Sequence, residues 1–539
     1  MLKKIKFFLF SQKAIEFLIL IFILISSVYF LLNINFMEVP VSDTFQFIDD
    51  SQLYSQFRLP YKIHASPANP ILIALITPFL KVDFPAVRAA TSISTIAVIL
   101  ALIVFFFFVK RHLKNHLLLL PIFIFLIFSS SLFRVVWDGN SDALFGFVAL
   151  LSLVAYEKNK KLAYTLSALF ILVRYESVAI FAAFFLTDLL FYFFDTKKKF
   201  NKENILAIRH QVWFKSALKA GLIILLWFLF VHFHSWYNTR ESIHKHGNYY
   251  IYEIFSRIND IPNWIFFTKF SNLFLLEDWW DVPQEYAVSN SMLSLFILYL
   301  FIVSFFFAVR KKNKLVIAHI FFIVFYLLIH VFFPATPYRY FFAVLIPSVY
   351  VLGFAIDRLI INLNIERTSH FFQTLTSVFF LIFSIYIAQA SFVEINTFLN
   401  IVKKQGLEIK RVMTWINQQE FDEEQYVISF EIFNHFNLND KAIYLDAYGD
   451  CISVQCLLHE FEVERDVWVV KTADSQRIDD FKLKEMSVLV FNNDLENLCL
   501  TALFRVDIPK AYEWENDQWA IVYNYDYEKC KDIDLGAFY

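Results

Sequence analysis

Residues 86–111 read AVRAATSISTIAVILALIVFFFFVKR, and the fold class follows from them. The apolar run from Ala86 to Val109 makes a helix of about 36 Å at the usual rise per residue. That is enough to cross a hydrocarbon core of about 30 Å. Lys110, Arg111 and Lys114 then stop it, as cations do at a cytoplasmic membrane face.

The same pattern extends in both directions. Upstream, Lys3, Lys4, Lys6 and Lys13 precede an apolar run over 14–32, which reads as an uncleaved signal anchor. A polar segment over 33–69 follows, and the apolar piece 70–80 is too short to cross and reads as interfacial. Downstream, spans are expected near 116–134, 141–156, 162–173, 177–194, 220–234, 291–309, 315–333, 340–357 and 370–390. The expectation is an all-α polytopic domain over 1–395 with about eleven spans, large outer loops at 33–85 and 235–290, and a C-terminal soluble domain over 396–539.

Composition agrees. The 539 residues are 58% hydrophobic and include 68 Phe, a surplus that must face something other than water. Net charge is −2, so no global basic field points to nucleic acid. With only 8 Gly there is no close-packing GxxxG repeat, and little to build the broken helices of a moving carrier.

The charges are segregated. With a cytoplasmic N-terminus, the clusters Lys158/Lys160/Lys161, Lys197–Lys199 with Lys202, and Arg310/Lys311/Lys312/Lys314 all fall inside. The C-terminal domain then lies outside. It carries all four cysteines, Cys451, Cys456, Cys499 and Cys530, where two disulfides in any of three pairings are compatible with an oxidising compartment. β-like runs over 426–430, 442–445, 467–470, 487–491 and 519–523 make this domain small, mixed α/β and extracytoplasmic.

This sidedness collects the conspicuous polar residues on one outer face. The first outer loop has Asp43, Asp49, Asp50, His64 and Asn69. Apolar neighbours of Asp43 (Val39, Val41, Phe45, Phe47) can bury its carboxylate and raise its pKa, which suits a base. A solvated loop is the plainer reading. Arg134, Asp138 and Asp142 flank the turn between the third and fourth spans, where Asp142 serves equally as a helix N-cap. Arg174 and Glu176 sit between two spans, where a guanidinium needs a partner: Glu176 itself, or a lipid phosphate. Arg339 lies between Tyr338 and Tyr340, as an interfacial anchor or a second phosphate ligand. His232, His234, Glu241, His244 and His246 are spaced too loosely for a zinc motif; a polar membrane-edge cluster competes with a divalent-cation site. Trp279 and Trp280 among Glu277, Asp278 and Asp281 fit a headgroup belt or a sugar-stacking surface.

In order, these segments resemble the GT-C superfamily of membrane glycosyltransferases, in particular protein O-mannosyltransferases, aminoarabinose transferases and arabinofuranosyltransferases. The resemblance rests on five stretches. They are Ser42-Asp43-Thr44-Phe45 through Ser66-Pro67-Ala68-Asn69-Pro70, Arg134 to Ser141-Asp142, Val173-Arg174-Tyr175-Glu176-Ser177, Tyr338-Arg339-Tyr340 with Pro347, and 442–450 in the tail. Tyr175 and Ser177 stand where the family has Pro and Gly, so substrate identity does not carry over.

The resemblance implies a GT-C-like fold in a bacterial inner or plasma membrane. It implies inverting transfer of a hexosyl or pentosyl unit from a polyprenyl-phosphate donor to an extracytoplasmic glycan, lipid or protein. Asp43 would be the general base, and Arg174 and Arg339 would bind the donor phosphate. Asp142, Glu176, Asp49, Asp50, His64 and Arg134 would support them. No cofactor is required, though a divalent metal is compatible. The rival is a transporter or flippase of lipid-linked sugars, which predicts internal repeats. A mere membrane anchor for the tail would not need so many spans.

Overall fold

The structure, a computed structural model, describes residues 12–34, 42–60, 66–82, 85–137, 139–196, 206–239, 291–330 and 341–362, single positions between 378 and 418, and five strands beyond them. The chain divides into two compact units. One comprises 1–34, 50–81 and 88–395; the other comprises 35–49, 82–87 and 396–539.

The helices are α1 Gln12–Leu32, α2 Ser42–Ser55, α3 Ala68–Ile76, α4 Pro85–His112, α5 Leu119–Ile127, α6 Ser130–Val136 and α7 Ser141–Lys158. They continue with α8 Lys160–Leu169, α9 Ser177–Thr196, α10 Val212–Thr239, α11 Ser291–Arg310, α12 Lys314–His330 and α13 Phe342–Asn362. Among the described residues, α1, α4, α9, α10 and α13 are long and apolar enough to cross a membrane. Their outward faces are apolar: Phe17 and Leu24 on α1, and Leu218 and Leu226 on α10, are more than half exposed. A surface of this kind faces lipid. The protein is an integral membrane protein.

Two expected spans differ from simple rods. The stretch near 116–134 divides into α5 and α6 at Ser129, whose hydroxyl donates to the Leu126 carbonyl (2.9 Å) and accepts from the Leu132 amide (3.3 Å). A serine that offers the backbone alternative partners starts a new helix instead of continuing the old one. The stretch near 162–173 is α8 followed by a single 3-10 turn, Phe170–Leu172. The short piece expected at the interface is α3 with its own 3-10 turn, Thr77–Phe79.

Packing explains how a bundle so poor in glycine holds together. Aromatic rings fill the spaces: Phe30 packs edge-on against Phe133 at 5.4 Å and against Trp137 at 6.0 Å. Glycine appears where it is needed. A Cβ on Gly146 of α7 would lie 2.5 Å from the Phe342 ring of α13. Gly139 has φ 72°, a left-handed conformation in the turn that leads into α7.

The first unit has two chemically different ends. At one, Lys110 pairs with Glu16 at 3.2 Å, Arg111 lies 3.7 Å from Glu157, and Asp357 accepts from the Asn115 amide at 2.8 Å. At the other, the Trp137 indole donates to the Phe30 carbonyl (3.1 Å), Asn69 to the Gly139 carbonyl (3.3 Å) and Ser66 to the Ile171 carbonyl (2.9 Å). Lys110 and Arg111 with their acidic partners therefore share one end, and the turns that carry Asp142 and Arg174 share the opposite one.

The tail holds a five-stranded sheet: β1 Tyr426–Ser429, β2 Ile443–Asp446, β3 Val467–Ala473, β4 Leu500–Ile508 and β5 Gln518–Tyr525, in the order β2-β1-β3-β5-β4. β1 runs parallel to β2 and β3, and β5 runs antiparallel to β3 and β4. β4 lies where no strand was expected, and the expected run 487–491 lies outside the described residues, as do the four cysteines.

Candidate functional site

Arg174 occupies the short turn between Leu172 and Ser177, which local backbone bonds close. The Arg174 amide donates to the Phe170 carbonyl at 3.1 Å, and the Ser177 amide donates to the Arg174 carbonyl at 3.1 Å. Asp142 enters from the first turn of α7, where helix polarity favours an acid.

The three charges meet in one buried cluster. Arg174 Nη1 donates to Asp142 Oδ1 at 2.5 Å, Nη2 to Glu176 Oε1 at 2.6 Å, and Nε to Glu176 Oε1 and Oε2 at 3.1 and 3.2 Å. Ser141 Oγ accepts from Nη1 at 3.4 Å. Side-chain exposures of 10% for Arg174, 3% for Asp142 and 7% for Glu176 put these pairs in a medium where a charge without a partner is very costly. Burial works against the Arg174 charge, but Asp142 and then Glu176 outweigh it and hold the guanidinium above its ordinary value. Burial likewise pushes the Glu176 carboxyl up, and Arg174 outweighs that and holds it low.

The geometry gives Arg174 the Glu176 partner that the sequence offered, and adds Asp142. All three guanidinium nitrogens already face carboxylate or hydroxyl oxygens, so its fork serves the acids first.

Two residues that the sequence reading passed over complete the surroundings. His330, the last residue of α12, places Nε2 3.9 Å from Glu176 Oε1 with only 2% of its side chain exposed. Tyr326 lies one turn earlier, 4.5 Å from the His330 ring, and stacks on Phe145 at 6.0 Å. Its phenol acts electrostatically on Arg174. The signal was present: His319, Tyr326 and His330 recur at helical spacing on one face of an apolar helix, where ionisable groups report function.

The segment after α1 reaches the same end. Asp50 is buried, and its charge acts on Tyr54 and Tyr175. Burial, then Asp50, pushes the Tyr54 phenol up to about 12. Burial, then Tyr54, Glu176 and Asp50, raises the Tyr175 phenol. The Tyr175 ring stacks on Phe228 of α10 at 5.9 Å.

Among the expected site residues, the structure brings together Asp142, Arg174 and Glu176, with Asp50 beside Tyr175. Asp43 and Asp49 lie on α2 and Arg134 on α6, with side chains outside the described residues. His64, Asp138, Arg339 and the region 240–290, with Glu241, His244, His246 and the tryptophan pair, lie outside them altogether. His234 Nε2 lies 2.8 Å from the Pro60 carbonyl, which ties α10 to the segment after α2. Among the described residues, no three His, Cys, Asp or Glu side chains group as a metal site would require.

A solved structure matches this architecture: ArnT from Cupriavidus metallidurans bound to undecaprenyl phosphate. The match covers 94% of this chain and 97% of ArnT, with a TM-score of 0.52 and 10% sequence identity. The two share a fold. At that identity the likeness to ArnT is one of architecture alone. No protein-family model matches the sequence, and no curated protein does.

Proposed function

We propose that the protein is a membrane glycosyltransferase that moves a sugar from a polyprenyl-phosphate carrier to an extracytoplasmic acceptor. The observation that carries the reading is the ArnT fold across nearly the whole chain, in a protein solved with undecaprenyl phosphate. It is supported by a buried Asp142–Arg174–Glu176 cluster at the bundle end opposite Lys110 and Arg111.

A base in the first outer segment takes the proton of an acceptor hydroxyl. That oxygen bonds to the sugar's anomeric carbon from the face opposite the phosphate, and the carbon–oxygen bond to the phosphate breaks with inversion. The sequence motif assigns the base to Asp43. The burial of Asp50 beside Tyr54 and Tyr175 favours Asp50 as a second candidate. The motifs assign the lipid phosphate to Arg174 and Arg339, with Arg174 also positioning the two acids. The rest of the proposal is about eleven crossings with a cytoplasmic N-terminus, and a tail over 396–539 outside the bacterial inner or plasma membrane.

The test is transfer by the reconstituted full chain, offered a panel of polyprenyl-phosphate sugars and envelope acceptors. Wild type should form product. Asp43→Asn or Asp50→Asn, whichever is the base, should abolish it while the variant still inserts. Movement of the lipid-linked sugar across the vesicle with no new glycosidic bond would replace this reading with transport. A reporter fused after residue 539 should be active outside; activity only inside would overturn the orientation.

A further inference from the structure

The end of α2 presents an aromatic ring under backbone strain. The Phe57 amide donates to the Tyr54 carbonyl at 3.0 Å and the Arg58 amide to the Leu53 carbonyl at 2.9 Å. This bonding closes a helix on a left-handed residue, a place that glycine usually takes. Here the residue is Phe57, at φ 57°. A side chain is crowded in that conformation, and such strain persists where it serves a purpose. The Phe57 ring is also 100% exposed, and Leu59 is half exposed. Arg58 between them is exposed too. In water, glycine would relieve the strain and remove the apolar surface together. The surroundings on α10 are apolar instead. The stretch of α10 long and apolar enough to cross a membrane ends at His234, whose Nε2 lies 2.8 Å from the Pro60 carbonyl. Phe230, Phe233 and Tyr237 around that histidine are exposed and continue the lipid-facing side of the helix. Three residues of chain span at most about 11 Å, so Phe57 lies close to the edge of the hydrocarbon.

We infer that Phe57–Arg58–Leu59 anchors this segment in the bilayer, with Phe57 and Leu59 among phospholipid acyl chains and Arg58 at their phosphates. Long basic side chains keep their stems in apolar surroundings and their charge at the headgroups, so the three residues fit one lipid boundary. The anchor fixes the end of the helix that carries Asp50 and Tyr54. It goes beyond the transferase reading, since a transporter of the same fold would keep it.

The test replaces Phe57 by photoreactive p-benzoylphenylalanine in the full chain, held in nanodiscs of palmitoyl-oleoyl phosphatidylcholine and phosphatidylglycerol. Irradiation should join position 57 to lipid, and the peptide should keep a mass shift of one fatty acid after the lipid esters are hydrolysed. The same probe in place of Leu226, which faces lipid on α10, sets the yield to be matched. The same probe in place of Leu59, whose φ is not positive, repeats the test at a position without strain. Lipid adducts at 57 support the anchor, as do adducts at 59 where the chain with the probe at 57 does not fold. Adducts at 226 with none at 57 or 59 overturn it. Cross-linking of 57 to a second copy of the chain, or to another segment of the same chain, also overturns it and makes the ring a protein contact.

Discussion

Ser66 donates its hydroxyl to the Ile171 carbonyl at 2.9 Å, three residues before Arg174. The bond spans 105 residues and fastens the end of the first outer segment to the turn that carries the charged cluster. Asn69, fully buried, repeats the device against Gly139, just ahead of Asp142. Both turns that present acids and guanidinium are thus tied to the segment expected to supply the base.

Ser66→Ala should therefore do more than remove one hydrogen bond. A stability loss of about 1 kcal/mol is the ordinary cost of such a bond. A looser segment should also lower the transfer rate several-fold, because small misplacements of catalytic groups are expensive. Detergent unfolding and a single-turnover assay measure the two effects. A stability loss with an unchanged rate would mean that this tie does not organise the site.

Arg174 is expected to be indispensable through geometry as well as charge. Arg174→Ala leaves Asp142 and Glu176 buried without their cation, and breaking a buried pair in this way costs about 3–5 kcal/mol. Arg174→Lys keeps the charge but cannot present a planar fork to two carboxylates at once. It should be intermediate in stability and still fail in transfer. Wild-type turnover by the lysine variant would reduce Arg174 to a point charge.

These expectations show which parts of the site were legible in the sequence. Arg174, Glu176 and Asp142 stood out because charges between apolar runs are too costly to be accidental. An Arg174–Glu176 pair was one of the open readings, and the geometry shows it; the contact of Arg174 with Asp142 was not foreseen. His330 and Tyr326 were passed over because each, taken singly, looks like a tolerated polar residue on an apolar helix; their helical spacing was the signal, and their depth beside Glu176 makes them partners. The division of one expected span at Ser129 was equally hard to read, since hydropathy averages over a local competition for backbone partners. In the tail, β1, β2, β3 and β5 fall on the short apolar runs read as β-like, whereas β4 contains Arg505 and Asp507, which weakened its apolar signal.

The opposite end of the bundle supplies a control. Asp188 is 3% exposed and accepts from Tyr156 at 2.8 Å, from Tyr164 at 3.1 Å and from Lys160, which joins α7, α8 and α9. Asp188→Asn keeps the shape and removes the charge opposite a half-exposed lysine, so the expected loss is about 1–3 kcal/mol once solvent screening is allowed for. Donor KM should not change, because the site lies at the other end. A large rise in KM with stability intact would mean that the two ends are coupled.

Acid should undo the Glu176 contribution in a definite direction. Burial alone would raise this carboxyl, but Arg174 outweighs burial and holds it below its ordinary value. A lowered folded-state value means that the unfolded chain binds the proton more readily, so the carboxylate stabilises the fold at neutral pH. That contribution is complete above the unfolded value of about 4.3 and disappears as pH falls through the lower folded value. Glu176→Gln carries no such term. The stability difference between wild type and Glu176→Gln in detergent should be constant at neutral pH and shrink steadily below about pH 4. A difference that widens on acidification would show that burial dominates after all, with Glu176 protonated more easily in the folded protein than in the unfolded one.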